Sequence, residues 1–210
     1  MEIALLTDVG QKRSNNQDYV NRYTNRAGID LIVLADGMGG HRAGHIASEM
    51  TATDLGASWV DTQLNTLNDV REWMVAVLEE ENKKIYQLGQ TDEYKGMGTT
   101  LEAVVIIDQQ MIYAHIGDSR IGLLRNGEYQ QLTSDHSLVG ALVRAGQLSE
   151  EEARLHPQKN IITQSIGQHQ PVEADIAIKT LEPGDYVLVN SDGLTNMVSK
   201  EDIRDILSSE

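Results

Sequence analysis

The sequence predicts an α+β fold in which antiparallel sheets are covered by helices. Short apolar, β-branched runs outnumber the helical segments, and most of them are joined by connections too short for a crossover helix. The two long helical patterns are adjacent in the chain and do not alternate with strands. These observations argue against a parallel, doubly wound sheet.

The first half of the chain predicts two strands followed by two helices. A first strand is predicted over residues 3–7, and a polar loop follows it up to Asp18. The apolar run at residues 31–35 predicts a buried strand that ends at Asp36 in a glycine-rich turn. The apolar periodicity predicts helices over residues 46–60 and 67–88, the second ended by Gly89.

The second half predicts further strands interrupted by one insertion. Four short strands separated by turns are typical of a β-meander, and they are predicted over residues 100–107, 111–116, 121–124 and 129–132. Residues 137–167 contain two short helical pieces, and we interpret this segment as an inserted flap. Two last strands and a final helix are predicted over residues 172–178, 186–190 and 200–207.

Composition narrows the class of protein. The 210 residues contain no Pro/Gly/Ser-rich linker, so we expect a single domain over residues 1–210, acting as a monomer. The chain has no cysteine, no signal-like N-terminus and no apolar run of membrane length, which predicts a cytoplasmic protein. The net charge of −15 argues against nucleic acid or an anionic membrane as a partner.

Three of the predicted strands end in an aspartate beside a glycine. The pairs are Asp36-Gly37, Gly117-Asp118 and Asp192-Gly193. Taken alone, such a pair is most often only a turn. If the three carboxylates converge, they form an oxygen-rich site that suits Mg²⁺ or Mn²⁺, and two ions held close together can direct a hydroxide at a phosphate.

Arg13 and Asp118 each allow two interpretations. The guanidinium of Arg13 lies in a polar loop, where it either binds two phosphate oxygens or is simply solvated. Asp118 either binds a metal ion, or caps its own turn or pairs with Arg120.

Seven motifs resemble those of the metal-dependent Ser/Thr protein phosphatases of the type 2C class, in their compact bacterial form. They follow the family's order over nearly the whole chain. The motifs are residues 7–10 with Arg13 and Asn16-Gln17-Asp18, residues 34–40, 97–100 and 116–120, residues 132–133 with 135–137, residues 162–167, and residues 191–195. The resemblance implies two antiparallel sheets packed as a central sandwich, helices on both sides of it, and a mobile flap at about residues 137–167.

The resemblance also implies a role for each candidate ligand. Asp36 would bridge two metal ions, Mn²⁺ or Mg²⁺, and the Gly37 carbonyl would bind one of them. Asp192 would bind the other ion, and Asp118 together with Asp192 would hold a third. Asp18 would orient metal-bound water.

The activity implied is hydrolysis of phosphoserine and phosphothreonine in proteins by a metal-bridging hydroxide, in opposition to a cognate bacterial Ser/Thr kinase and acting on its substrates. Arg13 would bind the phosphate. The alternative is a catalytically silent module of the same fold that binds or senses phosphoproteins. Retention of Arg13, Asp36, Asp118 and Asp192 favours the enzyme.

Two departures from the family pattern affect these expectations. Met38 stands where animal members carry the histidine regarded as the general acid, so His41 is a candidate acid, with metal-bound water as another proton source and a structural role as the alternative. The last family motif, a glycine-rich turn with an Asp-Asn pair and a final strand, does not follow Ser208. We therefore expect the chain to be part of a longer one, and we interpret Asp202 and Asp205 as solvated helix charges.

Overall fold

The computed structural model describes residues 1–11, 13–40 and 43–209, and its strands form two antiparallel sheets. Along the described residues the strands are β1 (Asp18–Thr24), β2 (Asp30–Met38), β3 (Gly98–Thr99), β4 (Leu101–Ile107), β5 (Gln110–Ile116), β6 (Arg120–Arg125), β7 (Glu128–Gln131), β8 (Asp175–Thr180) and β9 (Tyr186–Asn190). The first sheet has the order β1-β2-β4-β5-β8, with β3 also paired to β2, and the second has the order β7-β6-β9. The strand order of the first sheet places β2 and β4 at its centre.

The helices match the predicted periodicity closely. In the described chain they are α1 (Ala43–Val60), α2 (Leu67–Leu88), α3 (Leu138–Arg144), α4 (Glu150–Leu155), α5 (Asp192–Thr195) and α6 (Lys200–Leu207). The side chain of Thr66 caps α2 by accepting a hydrogen bond from the Asp69 amide, and Gly89 follows its last residue. The short helix α5 was not predicted, because four residues are too few to show a period.

Two apolar layers hold the sheets and helices together. The larger layer lies between the first sheet and the pair α1 and α2, and it includes Leu31, Trp59 and Ile112. The smaller layer lies between the two sheets, where Met111 and Ile121 are fully buried. Successive residues of β5 therefore face opposite layers, as the pleat requires, and the expected α+β sandwich with helices outside it is confirmed.

The predicted strand at residues 3–7 is wrong. These residues carry no regular structure, and the side chain of Leu6 is 91% exposed. An apolar run becomes a strand only where a neighbouring strand accepts its hydrogen bonds, and none of the described strands lies beside it. The strand β1 was missed, since its sequence lies beyond the polar loop and contains only two well-spaced tyrosines, Tyr19 and Tyr23.

The predicted meander is wrong in its connectivity, although each of its strands exists. The β4-β5 hairpin belongs to the first sheet and the β6-β7 hairpin to the second, so the chain crosses between sheets at Gly117, whose φ is +113°. A four-strand pattern does not reveal such a crossing, because turn residues look alike whether the chain stays in one sheet or changes to the other. The strand predicted to stop at Asp36 runs on to Met38, because β3 pairs with its last residues.

The segment at residues 137–167 contains α3 and α4, as predicted. Ser149 caps α4 in a reciprocal arrangement with Glu152, and the caps of both helices are serines. On the final helix, Asp202 and Asp205 are exposed, which agrees with their interpretation as solvated charges. Within the described residues no helix combines the length and the apolar character that crossing a membrane requires.

Candidate metal centre

Asp36 lies near the end of the central strand β2, directly opposite Asp18 of β1. Its backbone is fixed from the other side: its amide donates to Thr100 Oγ1 at 3.0 Å, and Thr99 Oγ1 donates to its carbonyl at 2.9 Å. The Asp36 carboxylate therefore has a rigid base. Two like charges directly opposite in an antiparallel pair repel each other, so this pairing is favourable when one carboxylate is protonated or a cation lies between them.

Gly37 follows at a point where strand and helix touch. A Cβ on this residue would lie 2.0 Å from the carbonyl oxygen of Gly44 in α1, and about 3.0 Å from that of Gln17. Only glycine fits here, because both neighbours are backbone atoms that have no room to move. The close approach brings the first turn of α1 against Gly37, the residue that follows Asp36.

Asp118 lies where the chain crosses from the first sheet to the second. The next residue, Ser119, is fully buried, and its hydroxyl is 2.8 Å from Thr100 Oγ1, the same group that accepts from the Asp36 amide. Arg120 Nε and Nη2 donate to the two carboxylate oxygens of Asp135 at 3.0 and 2.7 Å, so Asp135 is the hydrogen-bonded partner of Arg120. Asp118 interacts with the Arg120 charge as well, which lowers the pKa that burial raises.

Asp192 begins α5, immediately after β9 of the second sheet. Its carboxylate accepts from Asn196 Nδ2 at 2.9 Å, and Lys159 of the 137–167 segment reaches Asn196 Oδ1 at 3.3 Å. Ser191 donates to Asp18 Oδ2 at 2.7 Å. This bond joins the second sheet to the carboxylate that faces Asp36.

The pKa values of the site's carboxyl groups are raised, as expected where several acidic side chains are buried together. Burial, followed by the neighbouring charges of Asp18, Asp192 and Asp118 in that order, raises the pKa of Asp36 to about 9. Burial, followed by Asp192 and Asp135, raises the pKa of Asp118 to about 7. The carboxylates therefore resist sharing this site as anions, and oxygen donors of this kind fit Mg²⁺ or Mn²⁺.

The carboxylates open into a pocket of about 500 Å³. Asp36, Asp118 and Asp192 line it, so the three predicted ligands do converge. Arg13 is exposed at its wall. Burial and then Asp18 raise the pKa of Asp192, and the Asn196 hydrogen bond and the charges of Arg13 and Lys159 oppose this rise. The candidate acid His41 lies outside the described residues, and its role stays a prediction.

Several site residues were not predicted from the sequence. Asn160 and Ile162 line the pocket from the 137–167 segment; Asn160 lies outside every quoted motif, and Ile162 begins the motif at residues 162–167 but was given no role in the site. Thr99 and Thr100 belong to the motif at residues 97–100. Their hydroxyls hydrogen-bond to the backbone of Asp36, and the motif alone does not reveal these contacts. A search for buried hydroxyls near the candidate strand ends would have drawn attention to them.

Two packed antiparallel sheets, with carboxylates from both sheets meeting an arginine in one pocket, define a metal-dependent phosphohydrolase. The family model described as Protein phosphatase 2C matches residues 9–209 of the chain. The chain belongs to this family, whose members are metal-dependent protein phosphatases.

Individual relatives agree with the family. The chain is 69% identical over 210 residues to protein phosphatase PhpP of Streptococcus pneumoniae, which covers all of this chain and 85% of that protein. It superposes on the S. agalactiae serine/threonine phosphatase with a TM-score of 0.96 at 64% identity, covering 100% of this chain and 86% of the other. The catalytic domain of PstP, solved with 2 manganese ions, gives a TM-score of 0.81 at 35% identity, over 96% and 81% of the two chains.

Proposed function

We propose that the chain hydrolyses phosphoserine and phosphothreonine in proteins, with cations held by Asp36, Asp118, Asp192 and the Gly37 carbonyl. The observation that carries the proposal is the convergence of three aspartates from different strand ends on one pocket. The names of the relatives above support the substrate class. They give no support to a catalytically silent module.

Each residue has a distinct task in this proposal. The Asp36 carboxylate, held in place by the backbone bonds of Asp36 to Thr99 and Thr100, would hold the cations. Asp18, fixed by Ser191, orients water at the edge of the site. The guanidinium of Arg13 binds two oxygens of the phosphoryl group and keeps the phosphorus in line with the attacking oxygen.

The metal ions supply Lewis acidity, which activates the attacking water and neutralises charge on the phosphoryl group. The protein contributes the geometry, because the ligands come from rigid strand ends in both sheets. The fixed positions of the carboxylates would keep the attacking water close to the phosphoryl group. No covalent intermediate with the protein is needed.

We further propose two Mn²⁺ or Mg²⁺ ions, both held by Asp36, one also by the Gly37 carbonyl and the other by Asp192, with a third, more weakly held ion between Asp118 and Asp192. The two manganese ions in the PstP structure support the lower count. In the cell the protein would act as a cytoplasmic monomer against a cognate Ser/Thr kinase and its substrates. One phosphatase domain, with its flap at residues 137–167, would carry the activity.

The direct test compares phosphopeptides that differ only in the modified residue. Phosphothreonine and phosphoserine peptides should be hydrolysed in Mn²⁺ and not in EDTA, and a phosphotyrosine peptide of the same sequence should be a poor substrate. Tight binding of the phosphothreonine peptide with no release of phosphate in Mn²⁺ would instead establish the silent module.

A further inference from the structure

A buried polar cluster lies beside the proposed metal centre and takes no part in the mechanism above. Glu102 and His115 are paired across β4 and β5, both side chains are fully buried, and His115 Nδ1 is 2.6 Å from Glu102 Oε1. The other ring nitrogen of His115 donates to the Ser134 carbonyl at 3.0 Å. The His136 ring packs on that of His115 at 4.6 Å, and His136 Nε2 is 3.1 Å from Asp175.

This cluster is better explained as a hydrogen-bond relay than as a second metal site. His115, His136 and Asp175 offer ligand atoms within 4.8 Å of one another. However, both ring nitrogens of each histidine already have hydrogen-bond partners. A cation would need a free lone pair on these nitrogens and would break the bonds that hold the rings in place.

His136 makes two bonds to the residue that precedes Asp118. Its backbone amide donates to the Gly117 carbonyl at 2.7 Å, and its Nδ1 accepts from the Gly117 amide at 3.2 Å. Gly117 has a φ of +113°, and a Cβ there would meet Thr100 at 2.6 Å, so its peptide has little freedom. The backbone and the side chain of His136 therefore bond to the peptide groups on either side of Gly117, in the turn that carries Asp118.

The bonding pattern also fixes the protonation of this imidazole. Nδ1 accepts a hydrogen bond, so the proton lies on Nε2, which donates to Asp175. Burial and then the neighbouring His115 lower the pKa of His136, Asp175 opposes them, and Arg144 lowers the pKa further. The ring is neutral at pH 7, as its accepting role requires.

His136 contacts the 137–167 segment as well. Its carbonyl accepts from the Thr163 amide at 2.8 Å, and the next residue, Ser137, forms an isolated bridge with Ile162. Ile162 lines the pocket. One residue therefore contacts both the Asp118 turn and the base of the segment that covers the site.

We propose that His136 is a positioning residue, whose neutral imidazole accepts from the Gly117 amide and thereby directs the Asp118 carboxylate at the cation it shares with Asp192. This inference rests on the proposed role of Asp118 as a ligand. It predicts that loss of the acceptor weakens metal binding even where the fold is kept.

Two near-isosteric substitutions separate the acceptor from the rest of the ring. In His136→Asn the amide oxygen occupies the Nδ1 position and can still accept from Gly117. In His136→Gln the amide reaches the Nε2 position, towards Asp175, and leaves the Gly117 amide without its acceptor. If the ring only filled space, His136→Gln would not weaken metal binding more than His136→Asn does.

The measurement is Mn²⁺ binding to the full chain by isothermal titration calorimetry, together with the melting temperature of each variant in EDTA. We expect His136→Gln to weaken the loosest Mn²⁺ site about tenfold, the cost typical of losing a group that orients a ligand. His136→Asn and Asp175→Asn should stay within about threefold of the wild type. Equal effects of the two His136 variants, or no effect of either, would overturn the proposal.

Two further outcomes keep the test decisive. If His136→Gln does not fold, a folded His136→Asn that binds Mn²⁺ tenfold more weakly still overturns the proposal. Asp118→Ala in the same titration checks the premise: unchanged Mn²⁺ binding would remove Asp118 from the metal centre, and the His136 proposal with it. Loss of the loose site in Asp118→Ala but not in His136→Gln would overturn the positioning role alone.

Discussion

Asp18 and Asp36 face each other across two neighbouring strands, where two carboxylates repel unless a cation separates them. We expect Asp36→Asn to lower turnover at least about 100-fold, because the loss of even an outer ligand costs that much. The same change should stabilise the metal-free protein at pH 7 by on the order of 2 kcal/mol, since burial and the other aspartates raise the pKa of Asp36 to about 9.

The measurement is turnover at saturating Mn²⁺ and unfolding by urea in EDTA. Asp192→Asn should also abolish turnover, as it removes a ligand from the second sheet. A variant at position 36 that is both inactive and less stable in EDTA would mean that Asp36 is a structural residue and not a metal ligand.

Arg13 should act on the substrate and not on the metal. Arg13→Ala is expected to raise KM for a phosphothreonine peptide about tenfold, the equivalent of one charge-assisted hydrogen bond, with a smaller fall in kcat. Arg13→Lys keeps the charge but not the two-pronged geometry, so it should restore little. Steady-state kinetics decide this, and unchanged values for Arg13→Ala would return Arg13 to the solvated surface.

Among the individual site residues, the sequence identified the three aspartates but not the side chains that hold them in place. Asp36, Asp118 and Asp192 were found because each follows an apolar run beside a glycine. Their convergence on one pocket is a property of the two-sheet fold, which no single run contains. The hydroxyls of Thr100 and Ser119 act through buried contacts between strands far apart in sequence, and such contacts leave no local pattern.

Between α1 and α2 lies an acidic group that should make stability depend on pH. Glu81 is only 4% exposed, and burial, then the neighbouring Asp54, raises its pKa to about 7, while Lys84 and the Thr51 hydroxyl lower it. Lys84 itself pairs with Asp54. A carboxyl whose folded pKa is raised stabilises the fold below its unfolded pKa of 4.5, and this contribution is lost as the pH rises through about 7.

Glu81→Gln removes the titration and keeps the shape. Between pH 5 and pH 8 the wild type should lose about 2 kcal/mol more unfolding free energy than Glu81→Gln, from roughly 1.4 kcal/mol per pKa unit reduced for the coupling to Asp54. Urea unfolding in EDTA at both pH values measures this difference. Titration of the carboxylates remote from Glu81 is common to both proteins and cancels, so parallel curves would contradict the buried role of Glu81.

The elements themselves differ in how well the sequence predicts them. Helix α2 was predicted from Leu67 to Leu88 because its apolar period, its cap and Gly89 are all local signals. Residues 3–7 were predicted wrongly, since a strand needs a partner that the apolar run does not identify. The change of sheet at Gly117 was missed for the same reason: pairing between strands is a long-range property.

For the molecule as a whole, bound cations should stabilise the sandwich because their ligands come from both sheets. At a free Mn²⁺ concentration 100 times the dissociation constant, we expect about 2.7 kcal/mol of stabilisation, or roughly 5–10 °C in melting temperature. Asp192→Asn should lose most of this shift, since it removes the ligand from the second sheet. Thermal unfolding with Mn²⁺ and with EDTA measures it, and an undiminished shift in the variant would place the ions elsewhere.

Because the chain crosses from one sheet to the other at Gly117, the proposed metal ligands are distributed over both sheets, and this bears on metal preference. Asp36 lies in a strand of one sheet and Asp192 closely follows a strand of the other, and the sheets pack on each other at Met111 and Ile121. Mg²⁺ demands shorter and more regular coordination than larger cations do. We therefore expect side-chain volume in the interior between the sheets to affect metal selectivity, even with the proposed ligands Asp36 and Asp192 left unchanged.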